Sequence, residues 1–198
     1  MTYSFQTFSV DAVLTAVQMN QVEANIRDHV HGQGSVATNI ILGTPVTTTS
    51  GTSVDFTGFP SGTKRIVVSL VGVSVSGTSD LQIQLGTGGT PTTSGYLGTA
   101  AGIVNAAVPA TQAFTAAMGL DTGTVNASVY HGTAILTLED SSDNTWTMIW
   151  VGSLSNTARV LVSSSKVALA GALDMIRITS AGGAVTFDAG EINIQYET

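Results

Sequence analysis

The stretch WTMIWV, residues 146–151, decides the fold class. Its largest side chains, Trp146, Met148 and Trp150, occupy every second position. Successive side chains of a β-strand point to opposite faces of the sheet, so this spacing predicts a strand that buries one face. For the two tryptophans it favours packing in a core over stacking on sugar rings.

The same period of two recurs along the chain. Further alternating runs are LQIQL (residues 81–85), IRI (176–178) and INIQY (192–196). The run over residues 66–75 is apolar on both faces apart from Ser69 and Ser74, which predicts a central strand or one at a subunit contact. About eight to ten short strands separated by Gly-rich turns predict a mainly β fold, an antiparallel, jelly-roll-like β-sandwich.

The N-terminal residues have a different pattern. Thr15 and Gln18 match a capping box, and residues 16–30 contain no Gly or Pro. Gly32 follows at the position where a helix commonly ends. We therefore predict an N-terminal arm over residues 1–44, with a helix over about 16–30, and a β-sandwich domain over residues 45–198.

An apolar stripe runs along the predicted helix. Met19, Val22 and Ile26 recur at spacings of three and four residues. A helix of about 15 residues is marginal in water alone, so this stripe must dock on something. One interpretation packs it on its own domain. The interpretation we favour packs it against two further copies, with Met19, Val22 and Ile26 around the axis of a homotrimer.

The composition limits the function. Charged residues make up only 10% of the chain, the net charge is −7, and Asp121 is the one charged residue between Leu81 and Leu138. So neutral a surface favours association with copies or partners. Six Lys and Arg residues give no basic footprint for nucleic acid. No apolar run is long enough to span a membrane, and residues 1–5 do not resemble a signal peptide.

Motifs for catalysis are missing from the sequence. The chain has no cysteine and no G-x-S-x-G elbow. The run GTGGT, residues 86–90, lacks the Lys-Ser/Thr pair of a phosphate-binding loop. We therefore expect a protein that is not an enzyme.

Two loops are candidates for ligand contact. They span residues 86–96 and 139–144, and their candidate ligand-binding side chains are Tyr96, Asp140 and Asp143. Loops on a rigid scaffold commonly carry recognition. With Glu139, the two aspartates form an acidic cluster that could hold Ca²⁺, although a solvated turn is the interpretation we favour.

His29 and His31 form a His-x-His segment at the end of the predicted helix. In a trimer, six imidazoles could surround one axis and hold an octahedral divalent transition metal such as Fe²⁺, Co²⁺ or Ni²⁺. The alternative is a pair of exposed histidines that stabilise the helix C-terminus by charge. No other cofactor is expected.

Several segments together carry a resemblance. They are LTA (14–16), MN (19–20), NIRDHVHG (25–32), KRI (64–66), GTS (77–79), QLG (84–86), LDMIRIT (173–179), TFDAG (186–190) and INIQYE (192–197). This combination resembles tailed-bacteriophage virion structural proteins of the tail-fibre or appendage type, and the segments span most of the chain.

The resemblance implies a structural role on a virion assembled in the host cytoplasm, without catalytic residues. The partners we expect are copies of the chain, other virion proteins through the arm, and a host surface glycan. One alternative is a capsid or neck decoration or assembly protein without a ligand. A second is a carbohydrate-active β-sandwich enzyme, which would need carboxylates facing each other across a cleft.

Overall fold

The computed structural model describes residues 15–31, 40–104, 109–123 and 128–198, and for residues 25–31 it describes the backbone alone. The chain divides into two units, Met1–Asn39 and Ile40–Thr198. The first contains helix α1 (Ala16–His31). At its start Thr15 N donates to Gln18 Oε1 at 2.9 Å, and Gln18 N donates to Thr15 Oγ1 at 3.3 Å. The predicted capping box is therefore confirmed.

The second unit consists of β-strands. Those that the structure describes are β1 (Ile40–Leu42), β2 (Val46–Thr47), β3 (Ser53–Thr57), β4 (Arg65–Val75), β5 (Leu81–Thr87), β6 (Thr90–Pro91), β7 (Leu97–Val104), β8 (Ala110–Phe114), β9 (Met118–Gly119), β10 (Tyr130–Asp140), β11 (Thr145–Leu154), β12 (Arg159–Ala168), β13 (Met175–Ser180) and β14 (Phe187–Glu197).

The strands form two antiparallel sheets that share one core. The large sheet has the order β1-β14-β4-β10-β11-β12-β7-β8, and β2 also pairs with β14. The small sheet has the order β3-β13-β5-β6, and β9 also pairs with β5. Side chains of both sheets meet in one apolar cluster, with Leu70 and Trp150 from the large sheet and Ile83 and Ile178 from the small one. The predicted mainly β, antiparallel sandwich is confirmed.

The alternating runs bury the residues that their period predicts. Trp146, Met148 and Trp150 are each 1% exposed, whereas Ile149 between them is 55% exposed. Leu81, Ile83 and Leu85 are fully buried. The two tryptophans are thus core residues, as their spacing indicates.

Strand β4 is central, with β10 on one side and β14 on the other, as its two apolar faces predict. The register between β4 and β14 shifts on both sides of Ala189, which places bulges at the start of the last strand. There Gly190 has φ +91°, and a Cβ on it would collide with the backbone of Gly72. The alternating run over residues 192–196 is thus part of a paired strand, as its period of two predicts.

The structure differs from the sequence prediction in two respects. Fourteen strands occur in the described residues, more than the eight to ten predicted, because pieces of two or three residues show no period. The sandwich unit begins at Ile40 rather than Pro45, because β1 pairs with β14.

Candidate functional site

The outer side of the large sheet, away from the core, carries a group of exposed apolar side chains. We call this group the apolar face, and its members are Ile103, Ile135, Ile149, Val151, Val160 and Val162. Three pairs lie directly opposite each other on neighbouring strands: Ile135 with Ile149, Val151 with Val162, and Val160 with Ile103. The group therefore runs without interruption across β10, β11, β12 and β7.

Local sequence explains why this face is apolar. In β11 the core residues Met148 and Trp150 alternate with Ile149 and Val151, so both faces of the strand are apolar. A strand with one solvated face commonly alternates apolar residues with polar ones. Val151 is 60% exposed in the single chain, which leaves a large β-branched side chain in water.

Lys166 lies on the same side of β12 as Val160 and Val162, but the segment that supplies β7 and β8 carries little charge. Asp121, the one charged residue between Leu81 and Leu138, is fully buried. Its carboxylate lies 3.2 Å from the Arg159 guanidinium and accepts a hydrogen bond from the Tyr130 hydroxyl at 3.0 Å. Arg159 also donates to the carbonyls of Thr122 and Gly123. Asp121 is therefore a buried structural residue. Between Leu81 and Leu138 no charged side chain reaches the surface.

The helix residues predicted to form a trimer have mixed exposure. Met19 is 53% exposed and Val22 is half-buried, while the side chain of Ile26 lies outside the described residues. Val17, which sequence reasoning did not single out, is 76% exposed. Packing of Met19, Val22 and Ile26 around a common axis stays a prediction.

The expectation that Tyr96 contacts a ligand needs correction. Its side chain is 1% exposed and belongs to the core cluster. The hydroxyl accepts a hydrogen bond from Leu85 N at 2.9 Å and donates toward the carbonyl of Thr92 at 3.0 Å. Burial raises the pKa of Tyr96 to about 12, while the bond from Leu85 N acts in the opposite direction. A side chain in this position offers a ligand no surface.

The two predicted aspartates lie where β10 turns into β11. Asp140 Oδ1 accepts hydrogen bonds from the backbone N and the hydroxyl of Ser142, both at 2.7 Å, and these bonds lower the pKa of Asp140. Asp143 accepts from Thr145 N at 2.9 Å. A small cavity of about 190 Å³ adjoins this turn and is lined by Ser141, Asn144 and Trp146 among others. A ligand role for Asp140 and Asp143 stays a prediction.

The side chains of His29 and His31 lie outside the described residues, so the metal site also stays a prediction. Within the described ranges, no three His, Cys, Asp or Glu side chains are grouped as ligands for a metal ion. No described helix combines the length and apolar character that crossing a membrane requires.

Comparison with known proteins found no match for the chain. It matches no protein-family model, no curated protein and no solved structure.

Proposed function

We propose that this chain is a non-enzymatic structural subunit of a bacteriophage virion, of the tail-fibre or appendage type, which assembles with copies of itself. The observation that carries the proposal is the apolar face, a continuous group of exposed Ile and Val side chains on the outer side of the large sheet. Contiguous exposed apolar surface on a soluble protein commonly marks a protein contact.

The size of the surface fits a stable contact. The apolar face crosses four strands of the large sheet, β10, β11, β12 and β7. With the flanking strands β4 and β8, the region around it is six strands wide. With about 4.8 Å between strands and about 3.4 Å per residue, a patch six strands wide and about seven residues long covers roughly 700 Å². A standard protein interface buries about 800 Å² on each partner. One side of this sheet is therefore large enough for a specific contact.

Charge favours another copy of the chain as the occupant. Each chain carries a net charge of −7, so two copies repel each other over most of their surface. The apolar face holds no carboxylate, so a neighbouring copy can pack against it without bringing two negative charges together.

The assignment to a virion rests on the sequence resemblance. The arm, with its capped helix and exposed Met19 and Val17, is the segment that we expect to join copies and to bind other virion proteins. A homotrimer is the expected assembly. A capsid or neck decoration protein would share the self-association but would bind no host surface.

Light scattering tests the assembly. We expect a mass about three times the 20.2 kDa of one chain. Val151→Asp puts a carboxylate in the middle of the apolar face and should dissociate the oligomer. Thr57→Asp, at an exposed position of β3, is the matched control and should leave the mass unchanged. A wild-type chain that is a single subunit at micromolar concentration would contradict the proposal.

Mass spectrometry of purified particles tests the location. Particles of the phage that encodes this chain should contain it in a fixed ratio to the major capsid protein. If the chain stays in the lysate and is missing from the particles, the virion assignment is wrong.

A further inference from the structure

We propose that a polar groove on the outer side of the small sheet binds neutral sugar units, hexoses or N-acetylhexosamines, of a glycan. The groove encloses about 370 Å³, and its lining includes Ser53, Gln82, Gln84, Arg177 and Thr179. This volume lies within the range of about 300–1,000 Å³ that is typical of small-molecule sites. The inference rests on the proposed virion role, for which a host surface glycan is the expected source of the sugar.

The floor of the groove is built from three neighbouring strands. Thr179 of β13 lies opposite Ser53 of β3 and opposite Gln82 of β5. Two residues further along each strand, Arg177 lies opposite Asp55 and opposite Gln84. Because every second residue of these strands points into the core, the residues between them form a compact polar array on the other side of the sheet.

The two glutamines are unusually buried for side chains on an outer face. Gln82 is 7% exposed and Gln84 is 8% exposed. Gln84 Nε2 donates to the carbonyl of Ala116 at 3.3 Å, which leaves its Oε1 directed to other partners. The amide of Gln82 makes no hydrogen bond with the described part of the chain. Neither amide atom of Gln82 is among the fully buried polar atoms that lack a partner, so the amide reaches the solvent of the groove and can hydrogen-bond to a ligand there.

The charges of the groove cancel within it. Arg177 Nε and Nη2 donate to the two carboxylate oxygens of Asp55 at 2.7 and 2.6 Å. These bonds raise the pKa of Arg177, so the guanidinium stays charged and paired. A ligand in the groove therefore meets a balanced ion pair rather than a free charge, which favours a neutral ligand over an anion or a cation.

The remaining groups match the hydroxyls of a sugar. Each sugar hydroxyl both donates and accepts a hydrogen bond, and an amide side chain offers both functions in one plane. Thr179 Oγ1 donates to the carbonyl of Thr52 at 2.8 Å, so its proton is already used and toward a ligand the hydroxyl can act only as an acceptor. The groove lining contains no aromatic ring, and so we expect millimolar affinity for one unit. Several copies in one oligomer would raise the affinity for a polysaccharide.

Saturation-transfer difference NMR on the full-length chain tests the inference. The probes are the methyl glycosides of glucose, galactose, mannose and N-acetylglucosamine, each at up to about 100 mM because the expected affinity is weak. We expect at least one of the four to bind. Gln82→Leu keeps the size of the side chain and removes its amide, and it should weaken binding at least about tenfold.

Gln112→Leu is the matched control, because Gln112 is exposed on the edge strand β8. Its binding should equal that of the wild type. Ser53→Ala, on a different strand of the floor, is a second variant that tests the groove if Gln82→Leu does not fold. The inference is overturned if none of the four glycosides binds, or if binding survives unchanged in folded floor variants. Light scattering of the same samples separates the two proposals, because an intact oligomer without sugar binding contradicts the groove alone.

Discussion

The two outer sides of the sandwich make opposite use of the same strand pattern. On the large sheet, the residues between the core positions are Ile and Val, as in Ile149 and Val151 of β11. On the small sheet, they are amides and an ion pair, as in Gln82 and Gln84 of β5. Both strands supply large apolar side chains to one core. The fold therefore constrains one face of each strand and leaves the other free for a partner.

The two sides also differ in what an isolated subunit leaves unsatisfied. The large sheet exposes apolar surface, which costs about 25 cal/mol for each Å² that remains in water. The small sheet presents the amide of Gln82, which makes no hydrogen bond with the described part of the chain, to the solvent of the groove. Contact with another apolar surface would remove the cost on the large sheet, and a ligand rich in hydroxyls could hydrogen-bond to the amide on the small one. The contrast thus points to a protein partner on one side and a hydrated partner on the other.

Loss of the last strand should have the largest effect on this arrangement. Strand β14 lies between β4 and the N-terminal strands β1 and β2 in the large sheet. Deletion of residues 191–198 would remove most of it and expose an edge of β4, and such edges promote aggregation. We expect insoluble protein, scored by the soluble fraction after expression. Deletion of Thr198 alone, which follows the strand, is the control. A soluble truncated chain with an unchanged melting temperature would contradict the strand's structural role.

Substitutions on the two faces of β11 should sharpen the comparison within one strand. Trp150 is 1% exposed, and Trp150→Ala should lower the free energy of unfolding by about 3–5 kcal/mol. The side chain of the neighbouring residue Ile149 points to the opposite face of the sheet. In a single subunit, Ile149→Ala should therefore change the free energy of unfolding by less than about 0.5 kcal/mol. Both substitutions are introduced into the Val151→Asp variant, so that association between subunits does not contribute to the measured free energy of unfolding. Urea unfolding compares them, and equal losses would show that Ile149 is also packed within its own chain.

Much of the fold could be predicted from sequence, because the period of two is a local signal. Trp146 and Trp150 are buried where the alternation predicts, and the alternating run over residues 192–196 is a paired strand. Tyr96 is different, because it stands alone between Gly95 and Leu97 with no alternating neighbours. Its burial depends on hydrogen bonds to Leu85, which only the tertiary structure brings near.

Local sequence patterns do not predict the two candidate surfaces. In the sequence, Gln82 and Gln84 have the spacing of a solvated strand face. They are buried because a segment distant in sequence, which includes Ala116, lies beside them. The apolar Ile149 and Val151 indicate a second packed face, but a sequence pattern does not distinguish a contact within the chain from one between copies. Both surfaces therefore required the three-dimensional structure.

A smaller effect than that of Trp150→Ala concerns Tyr96, which precedes β7 of the large sheet and binds the backbone of β5 in the small one. Its pKa is about 12 in the folded chain, against an ordinary value of 10.0. Above pH 10 the unfolded chain loses the tyrosine proton while the folded chain keeps it. The neutral form therefore stabilises the fold fully below about pH 10, and this contribution is lost as the pH rises toward 12. At about 1.4 kcal/mol for each pH unit, the loss amounts to roughly 2–3 kcal/mol.

Urea unfolding at several values between pH 9 and pH 12 measures this loss, and Tyr96→Phe supplies the control. The variant lacks the titrating hydroxyl, so its stability should fall less over the same interval, and the difference between the two curves isolates Tyr96. The variant should also be less stable than the wild type at pH 7, because Leu85 N loses its partner in the core. Parallel curves for the two chains would mean that the Tyr96 hydroxyl reaches water in the folded state.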